Sequence, residues 1–561
     1  MGWVSQIVAQ STGPGTPITF NQHIAPLVFR HCAPCHRPGQ AGPFSLLTFD
    51  QVRKRGPQIV EVITNQVMPP WPPAKSSVAF EGERRLAASE IQLMERWVAG
   101  GSLEGDKKQL PALPIWPQGW QLGEPDLVVR MPQAYLLGSA GKDVYRHFVI
   151  PIPSTVRRYV HAMELRPGNQ SVHHAFLLFD VTRQSRRTDA EDAELGIPGM
   201  SPPQSAQSPP GQFVSWKPGT TVRRGAPDEI WTLQPNTDLV LQMHLQPTGK
   251  PETIQAEVGF YFTNTPPTQF LGKLGLINYA IDLPAGVTNQ VVQDSFDLPR
   301  DVELLGLIPH SHYIGRSVRG LAVLPTGEPR EFLNIPRWDF RWQGDYRFAA
   351  PLALPKGTRL IMEWSFDNST NNVFNPRNPP TRVVYGLNTT NEMAELWIRM
   401  RCKTLEDQEA LKDSISAKDK QGSIDFNKWR ITQNPNDAMG HLRLGQVFLD
   451  DPKRQNDSLR HLKTALRINP KLDEAHYAMA MFLIARGQNR MAKTALETTI
   501  GLNPEHADAH GNLGLLLWKL GDVEGSERHL QTALTLNPQD ELAREALTEL
   551  RTIRTFRKLG K

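Results

Sequence analysis

The stretch Gly306–Arg316, GLIPHSHYIGR, places two histidines two positions apart at the end of an apolar run. Residues at positions i and i+2 of a β-strand point to the same face, so His310 and His312 can both meet one metal ion. Two imidazoles alone do not complete a site, and a third ligand must come from elsewhere in the chain. A methionine thioether in that role would favour copper, because soft sulfur stabilises Cu(I).

A β pattern surrounds this stretch from about Glu124 to Cys402. Short alternating or apolar runs, such as DLVVRM, HAFLLFD, DLVLQMHL and RLIMEWSF, are separated by turns rich in Pro, Gly and Asn. The length of this part predicts two packed β-sandwich lobes, residues 125–265 and 266–405.

Histidines are concentrated in the same part of the chain: seven of the sixteen lie there, and five form three tight groups. His173 and His174 are sequential and would point to opposite faces of a regular strand. Joint binding of an ion therefore requires a bulge, a strand end or mixed use of the two ring nitrogens. His244, from a paired strand, would add a third imidazole. The two remaining histidines of this part, His147 and His161, are predicted to be structural.

The order of these motifs, HH, LQMH, HSH and then NEMAELWI, resembles that of the copper type II, ascorbate-dependent monooxygenases. This family includes peptidylglycine α-hydroxylating and dopamine β-monooxygenases, and the resemblance covers roughly residues 125–402. The segments FVSWKPG (213–219) and IPHSHYIG also fit it. The resemblance implies two jelly-roll lobes and two copper ions, with the ligands His173, His174 and His244 in the first lobe and His310, His312 and Met393 in the second. Met362, in RLIMEW, is a rival for the sulfur ligand, but its apolar setting predicts a core position.

The resemblance also implies a reaction. O₂ would bind at the copper held by His310, His312 and Met393, which are the predicted catalytic residues. The other copper would pass on an electron, so that a C–H bond of a small organic or peptidic substrate is hydroxylated. An ascorbate-like reductant or a redox protein would be the electron donor. Ile308 and Trp397 stand where the peptide-amidating enzyme has an arginine and a tyrosine that grip the substrate carboxylate, so a glycine-extended peptide is not expected as substrate.

A second motif, Cys32-Ala33-Pro34-Cys35-His36, has the C-x-x-C-H spacing of covalent c-type haem attachment. Two thiols this close can each add to one vinyl group of a porphyrin, and the adjacent imidazole is then held under the iron as the proximal ligand. The alternatives are a redox-active cysteine pair or half of a zinc site. A zinc site would need further partners, and the third cysteine, Cys402, is isolated in the sequence.

The residues around this motif predict a small all-α haem domain, residues 19–105, that resembles class I cytochrome c. TFNQHIAPLVFRHCAPCH predicts a helix running into the motif, and LAASEIQLMERWVAGG predicts an amphipathic helix ended by two glycines. Met68, in VMPPWPP between them, is the predicted distal ligand, and thioether ligation would raise the reduction potential of the iron. His23 and His31 are rival ligands. A linker, residues 106–124, is predicted to follow.

The last part of the chain contains internal repeats. Asn-Pro recurs at steps of 35, 34 and 34 residues, which is the tetratricopeptide period, and small residues occupy the positions where the helices of a repeat cross. Such all-α solenoids bind peptide segments or other subunits, so we expect a protein partner or self-association; the alternative is a structural cap on the β-rich part. The sequence predicts a linker with helical stretches, residues 406–428, and about three repeats with a capping helix, residues 429–561. The Asn-Pro pairs are 434–435, 469–470, 503–504 and 537–538, and the small residues are Gly445, Ala480 and Gly514.

Composition excludes several classes of partner. A formal net charge of +5 in 561 residues, without a block of Lys or Arg, gives no reason to expect nucleic acid. No run of about 18 apolar residues occurs, so no membrane span is expected.

Residues 1–18, beginning MGWVSQIVAQS, lack a basic region and suit the tail of a truncated signal peptide. Because haem is attached to C-x-x-C-H outside the bacterial inner membrane, the motif implies the periplasm, secretion or the cell surface.

Together these patterns predict a multidomain copper-dependent monooxygenase that receives electrons through its own haem c. The alternative is a non-hydroxylating copper and haem scaffold for electron transfer or copper handling, with a protein-binding tail. The two differ in whether O₂ is consumed with a C–H substrate. A third interpretation, a redox sensor, would need an output segment such as a DNA-binding or kinase-like domain, and the sequence contains none.

Overall fold

The structure is a computed structural model that describes residues 17–559 apart from short gaps. The undescribed positions within that range are 41, 76–77, 117–118, 142, 192–193, 201, 204, 210, 213, 219–221, 223–224, 226–228, 387 and 538–539. Most of the predicted tail 1–18, the two ends of FVSWKPG and the proline of the fourth Asn-Pro pair therefore lie outside the described residues. Within these limits, no helix is both long and apolar enough to cross a membrane.

A small helical unit comes first. Phe20, Met94 and Trp97 are almost fully buried in its core, and a bridge between Thr19 and Leu103 closes it. Both predicted helices are present, and the second ends at the predicted pair of glycines. A π-helical turn spans Phe20–Ile24, and the α-helices are α1 (Ala25–His31), α2 (Phe49–Lys54), α3 (Gly56–Thr64) and α4 (Ala88–Ala99).

Part of the predicted haem domain, residues 71–75 and 78–81, packs on the second β lobe instead of the helical core. Phe80 forms an isolated bridge with Phe348, and the two rings stack with centroids 5.4 Å apart. The Trp71 ring contacts Tyr346 edge-on at 5.7 Å. Apolar side chains of these residues thus join the core of the second β lobe, although the sequence assigns them to the haem domain.

The first β lobe follows the predicted linker 106–124, whose described residues include a 3₁₀ turn, Lys107–Gln109. Its strands are β1 (Leu127–Arg130), β2 (Tyr135–Leu137), β3 (Val144–Pro151), β4 (Arg158–Arg166), β5 (Val172–Asp180), β6 (Ile197–Pro198), β7 (Ser215–Trp216), β8 (Trp231–Leu233), β9 (Asp238–Leu245), β10 (Glu252–Ile254) and β11 (Glu257–Thr263), with helix α5 (Gln184–Glu191) after β5. The two main sheets have the orders β1-β11-β4-β8 and β6-β3-β9-β5-β7. Phe148 and Leu241 of one sheet share a core with Phe260 of the other.

The second β lobe has the same plan of two main sheets over one core. Its strands are β12 (Phe270–Ile277), β13 (Asp282–Leu283), β14 (Gln290–Asp297), β15 (Val302–His310), β16 (Gly315–Val323), β17 (Pro329–Ile335), β18 (Tyr346–Leu354), β19 (Arg359–Phe366), β20 (Val383–Val384) and β21 (Glu395–Cys402). The sheet orders are β12-β21-β15-β18 and β14-β19-β16-β17. Leu307 and Trp364, one from each sheet, are fully buried in the shared core. The β-rich region is thus present where it was predicted, and its description as two jelly rolls stays a prediction.

The predicted linker with helical stretches, residues 406–428, lies within one long helix, α6 (Leu405–Gln433), which packs on the second lobe. Leu411 is 1% exposed and lies in the core of the second lobe. Nearby, Nε2 of Gln408 donates to the carbonyl of Leu271 at 2.7 Å. The charged composition that suggested a linker belongs to the outer face of a helix whose inner face covers the sheet.

The predicted tetratricopeptide array is present as three helix pairs and a final helix. The helices are α7 (Ala438–Leu449), α8 (Gln455–Ile468), α9 (Asp473–Ala485), α10 (Asn489–Leu502), α11 (Ala507–Lys519), α12 (Val523–Leu536) and α13 (Glu541–Leu559). Asn434, Asn469 and Asn503 each cap the C-terminus of a helix, so the repeated Asn-Pro marks the end of each repeat. A Cβ at Gly445 would lie 2.6 Å from Leu462, which explains the small residue at this crossing.

Candidate metal centre between the two β lobes

The first histidine group lies on the paired strands β5 and β9. His174 and His244 are direct cross-strand partners in this antiparallel pair. The register shifts between Val172 and His174, so His173 lies at a bulge. The structure thus contains the irregularity that two adjacent histidines need in order to face one ion, and His244 is on the paired strand as expected.

The three imidazole rings of this group lie close together. The centroid of the His244 ring is 4.8 Å from that of His174 and 5.5 Å from that of His173. Imidazoles bound to one ion in tetrahedral geometry, with metal–nitrogen bonds of about 2 Å, have centroids about 5 Å apart. The ring spacing is therefore that of a three-histidine site.

Some nitrogens of these rings have a hydrogen-bond partner, and others have none among the described residues. Nε2 of His244 lies 2.7 Å from Oδ2 of Asp143, and the Tyr145 ring stacks on the same imidazole at 4.3 Å. Nδ1 of His244 and Nδ1 of His174 are buried without a hydrogen-bond partner among the described residues. A carboxylate on one ring nitrogen and a second nitrogen left over is the arrangement typical of a metal-binding histidine.

Burial disfavours the charged form of two of these histidines, His173 and His174. It lowers the pKa of His174 well below its ordinary value, and the neighbouring His244 adds to the effect. The pKa of His173 is lowered by the same two causes. The hydrogen bond to His244 lowers the pKa of Asp143. Neutral imidazoles beside an ionised carboxylate are the protonation states that metal binding requires.

The second group lies at the end of β15. The His310 and His312 rings are perpendicular, with centroids 5.3 Å apart. Nδ1 of His310 lies 2.7 Å from Oε1 of Gln343, and Nδ1 of His312 lies 3.0 Å from the carbonyl of Asn391. Nε2 of His312 is buried without a partner among the described residues, and burial lowers the pKa of this histidine to about 3. Both rings therefore keep Nε2 for a ligand.

The backbone of Met393 lies close to that of His312. The antiparallel β15–β21 ladder ends with the pair His310 and Glu395, and Met393 lies two residues before β21 begins. Glu392 fixes the segment, because its carboxylate accepts hydrogen bonds from the backbone N–H groups of His312 at 2.8 Å and Met393 at 3.1 Å. The rival methionine, Met362, is fully buried in the lobe's core, as predicted.

Phe340 contacts both histidine groups. It lies in a 3₁₀ turn, Phe340–Trp342, before β18. Its ring centroid is 6.2 Å from that of His244 and 5.8 Å from that of His312. A cavity of about 70 Å³ opens beside this turn, lined by the first histidine group from one lobe and by Tyr313 and Arg341 from the other. The first group thus faces a cavity between the lobes, and the second group adjoins the same turn through Phe340.

The residues fit copper in their chemistry but are not arranged as a formed site. No group of three or more His, Cys, Asp or Glu side chains in the described part of the chain has the geometry of a metal-binding cluster. What the structure offers instead is three buried imidazole nitrogens without partners, on His174, His244 and His312. Imidazoles, joined by one thioether in the second group, suit copper in both oxidation states.

Two residues without a charge, Ile308 and Trp397, lie near His310, at the positions where the peptide-amidating enzyme has an arginine and a tyrosine. Ile308 and Trp397 are direct cross-strand partners, two pairs before His310 and Glu395 in the same ladder. Ile308 is buried, and the Trp397 indole N–H donates to the Glu395 carboxylate at 2.8 Å. The wall beside this histidine therefore presents no cation to a substrate carboxylate at these two positions.

The C-x-x-C-H motif forms a tight turn at the end of α1. The backbone N–H groups of Cys35 and His36 both donate to the carbonyl of Cys32, at 3.2 and 2.9 Å. Neither motif cysteine is in a disulfide. Burial raises the pKa of the Cys32 thiol to about 12, and Cys35 adds to this shift. The Cys32 thiol is therefore protonated, and the two thiols are unbridged and close in the chain.

His36 is oriented by the loop that follows the motif. Its Nδ1 donates to the carbonyl of Phe44 at 3.1 Å, and the two rings lie 4.8 Å apart. A Cβ at Gly42 would lie 2.8 Å from that Nδ1, so only glycine allows this approach. This bond leaves Nε2 for an axial ligand, and the residues at the motif therefore fit covalently attached haem.

The distal haem ligand is not located by contacts. Met68 is half-buried after α3, and no described contact joins it to His36. Nδ1 of His23 accepts the backbone N–H of Thr19 at 3.1 Å, and His31 lies 3.4 Å from the Glu90 carboxylate. These partners occupy a nitrogen of each rival histidine, and Met68 stays the predicted ligand.

The histidine predicted to be structural in the first lobe is held on both sides. Nε2 of the fully buried His147 lies 2.7 Å from the Gln242 amide, and its Nδ1 lies 3.3 Å from the carbonyl of Ile197. His161 lies against the Tyr261 ring at 6.4 Å. Neither belongs to the two groups described above.

Sequence reasoning missed the residues that hold the ligands. Asp143, Gln343 and Phe340 are single residues without a motif, and each meets its histidine across strands or across lobes. Tyr145 faces His244 because β3 pairs with β9. A pairing of β3 with β9 is the only signal that could have found Tyr145 and its neighbour Asp143.

Comparisons with known proteins concern the C-terminal array. A family model for the tetratricopeptide repeat matches residues 477–541. Two crystal structures of the protein MamA are similar at 22% sequence identity and a TM-score of 0.23; the alignments cover 28% and 26% of this chain and 88% and 80% of those chains. No curated protein matches the sequence. The C-terminal region is thus a tetratricopeptide-type array attached to a large β-rich region.

Proposed function

We propose that this chain is a copper-dependent monooxygenase that hydroxylates a C–H bond of a small organic or peptidic substrate with O₂. The observation that supports it most is that two histidine groups, one from each β lobe, contact the same ring of Phe340 and keep buried ring nitrogens for ligands. One copper ion would be held by His173, His174 and His244 and the other by His310, His312 and Met393. When bound, copper supplies one-electron redox chemistry and a binding site for O₂.

The chain's own residues prepare this chemistry. Asp143 holds the His244 ring, and the Asn391 carbonyl holds the His312 ring, so both imidazoles keep a fixed orientation. Hydroxylation consumes O₂, two electrons and two protons, and yields the alcohol and one water. The apolar pair Ile308 and Trp397 beside His310 favours a substrate that has no carboxylate at that point.

We further propose that haem c bound to Cys32 and Cys35, with His36 and Met68 as axial ligands, takes part in electron supply. Trp71 and Phe80, which follow Met68, pack directly on the second β lobe, and this contact supports a route between the two parts. An ascorbate-like reductant or a redox protein would be the external donor. This arrangement implies the bacterial periplasm, secretion or the cell surface.

The tetratricopeptide array adds a proposed protein partner or self-association. Repeats of this type present extended surfaces to other chains. In the alternative function, a copper and haem scaffold without hydroxylase activity, the same array would dock a redox partner.

Oxygen uptake tests the proposal. The chain is purified from a haem-maturing host, loaded with copper and supplied with ascorbate across a panel of C–H substrates. We expect substrate-dependent uptake by the wild type and by His161→Ala, a histidine outside both groups, and its loss in His312→Ala. Equal uptake by wild type and His312→Ala would contradict the proposal. Copper and haem binding without any substrate-dependent uptake would favour the scaffold.

A further inference from the structure

Gln343 is placed to set the proton position on His310. Its amide Oε1 lies 2.7 Å from Nδ1 of His310. An amide oxygen only accepts hydrogen bonds, so this contact places the imidazole proton on Nδ1 and the lone pair on Nε2. His312 has the same tautomer for another reason, since its Nδ1 lies 3.0 Å from the Asn391 carbonyl. His312 is thus oriented by a backbone carbonyl of its own lobe, and His310 is oriented by the side chain of Gln343.

The backbone of Gln343 is anchored in the opposite lobe. Nζ of Lys217, from the first lobe, donates to the Gln343 carbonyl at 3.0 Å. The next residue must be small, because a Cβ at Gly344 would lie 2.8 Å from that Nζ. Lys217 also lines the cavity that holds the first histidine group. The position of Gln343 therefore depends on the apposition of the two lobes.

The same short segment contacts both histidine groups. Phe340, three residues earlier, meets His244 and His312, and its turn is capped by Asp339, whose Oδ1 accepts the backbone N–H of Arg341 at 3.0 Å. A shift between the lobes that breaks the Lys217 bond would move Gln343, and with it the partner of His310.

We propose that Gln343 is a positioning residue that fixes the Nδ1–H tautomer of His310. Because Lys217 of the other lobe holds the Gln343 backbone, the availability of the His310 Nε2 for a metal ion then depends on contact between the two lobes. Without the amide, the His310 proton would exchange between both nitrogens, and the fraction of rings with a free Nε2 would fall. This inference rests on the proposed function for its role in copper binding, but the tautomer itself is a property of the metal-free chain.

The first test uses the metal-free, full-length chain labelled with ¹⁵N-histidine. Nitrogen NMR at pH 8 reports the tautomer of His310, assigned by its loss in His310→Asn. We expect the Nδ1–H form in the wild type, in Gln343→Glu, which keeps an acceptor, and in Gln246→Leu, a control that lines the same cavity. We expect mixed tautomers in Gln343→Leu and in Lys217→Met. A wild-type tautomer in Gln343→Leu would overturn the inference.

The second test measures Cu(I) affinity by competition with a chromophoric chelator. Loss of a residue that holds a metal-binding histidine typically weakens binding about 10- to 100-fold. We expect a loss of this size at one of two sites in Gln343→Leu, and affinity within about 10-fold of the wild type in Gln343→Glu. Unchanged affinity in Gln343→Leu would refute the positioning role. A wild-type chain that binds no copper would refute the proposed function, while the tautomer result would still decide the role of Gln343.

Discussion

Asp143 and His244 are joined by a 2.7 Å contact between Oδ2 and Nε2, although 101 positions separate them in the sequence. The contact fixes the orientation of the ring and leaves Nδ1 buried without a described partner. The hydrogen bond also lowers the pKa of Asp143, which favours the ionised carboxylate. In the proposed function, this contact would orient the His244 ring for a metal ion.

Replacing Asp143 by asparagine should weaken copper binding at the first histidine group. The loss expected for a partner of a metal-binding histidine is about 10- to 100-fold in affinity. Competition titration with a Cu(II) chelator measures it. Asp297→Asn, at an exposed carboxylate of the other lobe, is the control and should bind as the wild type. The same affinity in Asp143→Asn and the control would contradict a metal-orienting role.

Replacing Gly42 by alanine should impair the haem site without touching its ligands. The added Cβ would lie 2.8 Å from Nδ1 of His36 and 2.7 Å from the Cys35 carbonyl, so the loop must move. We expect less covalently bound haem per chain after expression in a haem-maturing host, measured by the pyridine haemochrome spectrum. Gly138→Ala, whose added Cβ meets no atom closer than 3.9 Å, should retain wild-type haem content. Equal haem in both variants would show that His36 is not held through this loop.

Replacing Leu411 by alanine should destabilise the second β lobe. Leu411 of α6 is 1% exposed in the core of that lobe, and such truncations typically cost about 2–5 kcal/mol. Leu405→Ala, at a side chain that is 53% exposed at the start of the same helix, should cost less than about 0.5 kcal/mol. Urea unfolding followed by tryptophan fluorescence measures both. A small effect at Leu411 would mean that α6 is the loose linker that its composition suggested.

Acid should loosen the first repeat of the C-terminal array. Nδ1 of His441 lies 2.9 Å from Nδ1 of His461, which requires one ring to donate and the other to accept. Burial, together with His441 and Arg460, lowers the pKa of His461 to about 4, while Asp457 acts in the opposite direction. A folded-state pKa below the unfolded value of about 6.5 means that the stabilisation is complete above pH 6.5 and is lost as the pH falls towards 4. The loss is about 1–2 kcal/mol after allowance for partial exposure.

Hydrogen exchange of α7 and α8 between pH 7.5 and pH 5, corrected for intrinsic rates, measures this loss. His461→Ala copies the residue that the next repeat has at the equivalent position, Ala495, and should remove most of the pH dependence. An equal pH dependence in wild type and His461→Ala would assign it to other groups. The pair His510 and His529 repeats the contact at 2.9 Å, so α11 and α12 should respond in the same way.

Local and periodic signals account for what could be predicted from the sequence. The Asn-Pro period located the helix pairs, because each repeat ends with the same cap. Strand alternation and the need for a bulge at His173 followed from backbone geometry, and the structure contains both. The spacing of His310 and His312 likewise placed two rings 5.3 Å apart.

Features that depend on contacts between distant parts could not be predicted in the same way. The charged composition of residues 406–428 predicts a linker, because it does not reveal that the sheet beneath Leu411 buries one face of α6. Gln343 contacts Lys217, and Phe340 contacts His244, only where the two lobes meet. Trp71 and Phe80 leave the helical unit because Tyr346 and Phe348 offer them an apolar surface. Such contacts join residues far apart in the sequence, and no local pattern around either residue indicates its partner.

Copper stoichiometry tests the central claim most directly. The metal-free chain is titrated with Cu(II), and bound copper is counted by elemental analysis and electron paramagnetic resonance. The account predicts two bound copper ions per wild-type chain. His312→Ala should bind one ion, with the spectroscopic signature of a three-histidine site, and His244→Ala should also bind one ion. Binding of fewer than two ions by the wild type, or the same number of ions in all three proteins, would contradict it.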